Sequence, residues 1–85
     1  MSKFIPAAER LVRARMLIQQ ARDLPVPSEM GNRDFSYIAK VKDLLRQARD
    51  LVKFISMTAG VKAEMKEDVR KVLDEIEAAD RQILT

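Results

Sequence analysis

Seven carboxylates crowd the last third of the chain: Glu64, Glu67, Asp68, Asp74, Glu75, Glu77 and Asp80. Acids at that density raise the chemistry of a helical metal centre. Di-metal bundles build such centres from Glu-x-x-His pairs, with glutamates reaching inward from the other helices. The chain has no histidine and no cysteine, and its other helical stretches place no acid at a core-facing position. The acids therefore read as a solvated face, and neither metal nor cofactor is expected. The missing histidine also removes the usual general base for a hydroxyl nucleophile. Two glycines, Gly31 and Gly60, cannot make a Gly-rich phosphate loop. The expectation is a protein without catalytic activity.

A second constellation is basic: Arg10, Arg13, Arg15, Arg22, Lys40, Lys42, Arg46, Arg49 and Lys53. Residues 1–53 hold eleven Lys/Arg against six Asp/Glu, whereas residues 54–85 hold five against seven. Cations that converge on one surface, with aromatics to stack on bases, make a nucleic-acid site. The aromatics number four, Phe4, Phe35, Tyr37 and Phe54, and core packing explains three of them. A basic helix pair lying against an acidic third helix is the simpler reading. The alternative is a nucleic-acid-associated helical protein that uses Arg10, Arg13, Lys40, Arg46 and Lys53. Arg and Lys alone can also hold a small dicarboxylate inside a bundle, as in the chorismate mutases. The chain resembles these in size and helix content and in no motif, so an all-helical enzyme of that kind is the least supported reading.

Three helical stretches must position these groups, at about residues 6–24, 34–57 and 61–84. In the first, Ala7, Leu11, Ala14, Ile18 and Ala21 step by four and three, as one face of a helix does. Pro6 suits its first position, and Pro25 and Pro27 stop it. In the second, Ile38, Val41, Leu45, Ala48, Val52 and Ile55 form a coiled-coil-like seam. Asp34 is its expected N-cap and Gly60 its expected closing residue. The third carries Met65, Val69, Val72, Ile76, Ala79 and Ile83. A shift of 27 residues lays Leu11–Leu24 over Ile38–Leu51. Arg13 falls on Lys40, Arg15 on Lys42, Leu17 on Leu44, Ile18 on Leu45, and Gln20-Ala-Arg-Asp-Leu24 on Gln47-Ala-Arg-Asp-Leu51. One helical unit is used twice.

The whole chain, residues 1–85, reads as one all-α domain: a three-helix antiparallel bundle, or a protomer that completes its core by homodimerising. The short link at Thr58-Ala59-Gly60 makes the second and third helices antiparallel neighbours. An up-down-up order would set Arg15 beside Asp68 and Arg22 beside Glu75. With 85 residues the core is small, and a partner subunit is the support that remains when disulfides and metals are absent. Tyr37, Leu44 and Leu51 make a second stripe on the second helix, with Phe54 outside both. These four and the loop residue Met30 are the expected interaction surface, while Met16, Met57 and Met65 read as core or end filling. The Pro25–Arg33 link is a stiff spacer or a binding loop. The N-terminus lacks a signal-peptide pattern and no apolar run could span a membrane. The chain is expected to be cytoplasmic, a small protein–protein interaction or structural module, with a second copy or another protein as its partner.

Overall fold

The computed structural model describes residues 6–58 and 60–84. Phe4, with the rest of Met1–Ile5, and Ala59 of the second link lie outside the described residues. The fold is all-α, a three-helix bundle. Helix α1 spans Ala7–Asp23, α2 Phe35–Val52 and α3 Ala63–Leu84. Among the described residues there is no strand, and no helix is long and apolar enough to cross a membrane.

The α1 ladder opens with Arg10 N–H donating to the Pro6 carbonyl (3.0 Å), so Pro6 stands one place outside the helix, at the N-cap. Pro25 holds Leu24 extended, with ψ 133°, as the residue before a proline must be. The link then closes through a bond from Gly31 N–H to the Pro27 carbonyl (3.1 Å) and a short 3-10 turn over Gly31–Arg33. Asp34 caps α2: its carboxylate accepts from Tyr37 N–H at 2.9 Å.

The α2 ladder stops at Val52, earlier than the periodicity suggests. The chain tightens there into a 3-10 turn at Ile55–Met57. Three residues per turn keeps Ile55, three places after Val52, on the buried side. Gly60 does take the left-handed conformation (φ 83°), although it closes the link rather than α2. Helix α3 consequently starts at Ala63.

The core contains Leu11, Ala14, Ile18 and Ala21 from α1, Val41, Leu45, Ala48 and Val52 from α2, and Val69, Val72, Ile76 and Ala79 from α3. No charged or polar residue is buried among the described residues. Six expected positions need correction. Tyr37, assigned to an exposed stripe, is buried at 6 % exposure, while Ile38 is half-buried. Tyr37 stands four residues before Val41 and so prolongs the innermost row of α2; Ile38 lines a groove with Leu84 at the end of α3. Met16 and Met57 are exposed rather than core. Met16 lies some 140° around α1 from Leu11, at about 100° per residue, and Met57, the last residue of the 3-10 turn, is 69 % exposed. Met65 and Ile83 only flank the core. Of the three described aromatics, Tyr37 alone is packed inside; Phe35 and Phe54 are exposed.

Helices α1 and α2 make the most extensive contact. Arg10 Nη1 donates to the Leu51 carbonyl (3.4 Å), so the start of α1 lies at the end of α2 and the two are antiparallel. Lys42 reaches Asp80 (3.3 Å), and Ile38 and Leu84 line one groove, so α2 and α3 are antiparallel too. Helix α3 then runs parallel to α1, with Arg15 at 3.4 Å from Glu75 and Arg22 at 2.7 Å from Gln82. The orientation is the up-down-up one, but the register is one heptad beyond the Arg15–Asp68, Arg22–Glu75 pairing.

The backbone envelope measures 49 × 30 × 16 Å. Its thinnest dimension suits two helical layers about 10 Å apart. Helix α3 covers one side of the α1–α2 layer and leaves the other side bare.

Candidate interaction surface

The two sequence copies give almost the same burial, residue for residue. Ala14 and Val41, Ile18 and Leu45, and Ala21 and Ala48 are buried; Leu17 and Leu44, and Leu24 and Leu51, are half-buried. Arg13 and Lys40, Arg15 and Lys42, Gln20 and Gln47, Arg22 and Arg49, and Asp23 and Asp50 are exposed. Two like helices packed antiparallel are related by an approximate twofold axis between them. It passes near Leu17 and Leu44 and leaves the molecule on the bare side.

Helix α3 uses part of this repetition. Arg15 and Lys42, equivalent in the two copies, reach Glu75 and Asp80 on its two flanks. Arg49 lines the α2–α3 groove beside Ile76 and Asp80. Of the remaining equivalents, Arg13, Gln20, Gln47 and Asp50 line a groove on the bare face, while Lys40 and Asp23 are exposed towards the other end of the pair.

On that face lies an open groove of about 510 Å³, lined by Arg13, Met16, Leu17, Gln20, Gln47, Asp50 and Leu51. Its floor is apolar, from half-buried Leu17 and Leu51, and exposed Met16 (58 %) forms one wall with Val12 beyond it. Its rim is polar and held locally. Arg13 pairs with Glu9 at 2.6 Å, Gln47 donates to Asp43 at 2.7 Å, and Asp50 pairs with Arg46 at 3.2 Å and Lys53 at 3.0 Å. Side-chain bonds hold two α2 carboxylates below the usual range, Asp43 through Arg46 and then Gln47, and Asp50, on the rim, chiefly through Lys53.

The residues singled out in the sequence distribute unevenly. Leu44 and Leu51 lie on the bare face, half-buried against the core. Phe54 is 60 % exposed at the α1-start end of the bundle, with Lys53 Nζ 5.2 Å from its ring centre. It borders a second groove of about 280 Å³ with Ala7, Arg10 and Val61. Met30 is exposed at the opposite end, in the first link, near exposed Val26 and Phe35. Tyr37 belongs to the core. Sequence reasoning passed over Gln20 and Gln47, although the repeat of exposed as well as buried positions was the signal that could have found them, and Met16, read as core or end filling, lies on the groove wall.

Four of the five nominated nucleic-acid contacts lie around Asp50 and Leu51, and Lys40 lies apart. Arg10 is half-buried against the Leu51 carbonyl. Arg13, Arg46 and Lys53 stand beside acids, and Lys40 lies about 20 Å along α2 from Lys53 at 1.5 Å per residue. The α3 acids are similarly engaged: Glu67 and Asp74 with Arg70, Glu75 with Arg15, and Glu77 with Arg81. Among the described residues no group of three acids is placed to hold a metal ion. Comparison with known protein families, with characterised proteins and with solved structures finds no match.

Proposed function

We propose that this chain is a small helical protein–protein interaction or structural module without catalytic activity, and that its contact surface is the bare face of the α1–α2 pair. The observation that carries this reading is the groove itself. Its apolar floor and wall of Leu17, Leu51 and Met16 are enclosed by a charged and amide rim, the anatomy of protein contact patches. A groove between two antiparallel helices is also the natural seat for a further helix. The basic residues at this end of the bundle lie beside acids, Arg13 beside Glu9 and Arg46 and Lys53 beside Asp50, which weakens a phosphate-binding reading.

A photo-cross-linker at position 20, in cells producing the chain, tests the reading, with position 71 on α3 as the control. Position 20 should give a discrete protein adduct that Met16→Glu abolishes, and position 71 should give none. Equal labelling from both positions would reject this surface. Fluorescence anisotropy with DNA and RNA at low salt should show no binding; a complex that weakens steeply with added salt would favour the nucleic-acid alternative.

A further inference from the structure

We infer that the bare α1–α2 face is occupied by a second copy of this chain, related by a twofold axis parallel to the helices, so that α1 of each copy lies on α2 of the other. The inference rests on the reading of this face as the contact surface. It names the occupant from the repeat and the charge pattern.

Packing within the bundle accounts for the repeated core positions, and α3 accounts for Arg15 and Lys42. It does not account for Gln20 and Gln47, equivalent in the two copies, recurring with Arg13 and Asp50 in the groove on the side turned away from α3, nor for the exposed equivalents Lys40 and Asp23. A face that presents the same residues twice about an approximate twofold axis is matched by an object of the same symmetry. A second α1–α2 face is one.

The charges agree with this. At the end where α1 begins, Arg13 on α1 lies across the groove from Asp50 on α2. At the other end the signs are exchanged: Asp23 is in the last turn of α1 and Lys40 in the first turns of α2. Rotation about an axis along the helices keeps each end with itself and swaps α1 for α2. Arg13 then meets Asp50 of the second copy, and Lys40 meets Asp23 of the second copy. The same rotation lays the groove on itself, so that Met16 of each copy enters the apolar floor of the other. A twofold axis across the helices would also pair opposite charges, but it would press the Met16 half of the face onto the Asp43 half. Four antiparallel helices would result, with an α3 on each outer side.

The rim pairs do not oppose this. Arg13 bonds Glu9 and Asp50 bonds Arg46 and Lys53 within single helices. Exposed pairs of that kind are weak, and both groups keep further donors or acceptors for a partner.

Charge exchange between copies tests the geometry. The full-length chain is followed by sedimentation equilibrium from micromolar to submillimolar concentration, with helix content checked by circular dichroism. The unaltered chain should reach the dimer mass. Arg13→Asp and Asp50→Arg should each weaken association about tenfold or more, since each sets like charges at both symmetric contacts. An equimolar mixture of the two variants should recover the dimer, because the mixed pair regains opposite charges at both contacts; local damage to a helix could not be repaired in this way. A monomer throughout, a dimer indifferent to both substitutions, or weakening without recovery in the mixture would each overturn the inference. A monomeric chain that still cross-links from position 20 to a different protein would overturn the second copy and leave the interaction surface standing.

Discussion

Leu45 belongs to the small core and is 4 % exposed, on α2, the helix antiparallel to both others. Truncation there removes buried methyl groups that the surroundings can only partly replace. Leu45→Ala should cost about 2–5 kcal/mol, read from urea unfolding followed by circular dichroism. The exchange of roles between Tyr37 and Ile38 gives a sharper test at the same scale. Tyr37→Ala should cost more than Ile38→Ala, because the tyrosine ring is enclosed and the isoleucine is half open. The opposite order would return the seam to Ile38. The contrast follows from one added residue of helix rotation, about 100°, which no inspection of residue type resolves when both neighbours are large and apolar.

Each helix carries its own start, stop and lateral bonds. Asp34 holds the first turn of α2 through the Tyr37 N–H, and Asp34→Ala should cost about 0.5–2 kcal/mol. Gly60 is left-handed with open space around its Cα. Gly60→Ala should therefore lose about 1–2 kcal/mol from backbone conformation alone, and Gly60→Asn less. Exposed carboxylates along α2 and α3 make the helices respond to acid. Hydrogen bonds from Arg46, Lys53 and Arg70 hold Asp43, Asp50 and Glu67, respectively, below the ordinary carboxylate range. A group depressed in the folded state stabilises it above the unfolded value and ceases to do so as pH falls through the folded value. The melting temperature should stay level from neutrality to about pH 5 and decline below about pH 4. Because all three groups are solvated, the decline should be shallow. A rise in melting temperature on acidification would contradict the assignment.

At the scale of the molecule, α3 is registered against the α1–α2 pair by apolar packing, with Arg15–Glu75 and Lys42–Asp80 on its flanks. Both ion pairs are largely exposed, so double-mutant cycles should return coupling energies of about 0–1 kcal/mol. Larger values would make the pairs, and not Val69, Val72, Ile76 and Ala79, the determinant of register. The thinness of the molecule follows from the same arrangement. One helix can shield only one side of a helix pair, so three helices of similar length leave the second side of α1–α2 open to a partner.

The local facts were legible in the sequence alone. Steps of three and four placed Leu11, Ala14, Ile18, Val41, Leu45, Val72 and Ile76 inside, because at 3.6 residues per turn those steps keep successive residues on one face of a helix. Prolines and Asp34 marked boundaries through backbone chemistry that acts within a few residues. The 27-residue repeat foretold that two helices would share one pattern of burial. Tertiary structure decided the rest. A heptad-periodic seam packs nearly as well when slid by seven residues, so only the summed contacts of the whole bundle selected Glu75 over Asp68 for Arg15. The early end of α2 at Val52 likewise depends on where the chain must turn to bring α3 back onto the core. Which side of the repeated pair stays bare is a property of neither copy: it exists only once α3 has taken the other.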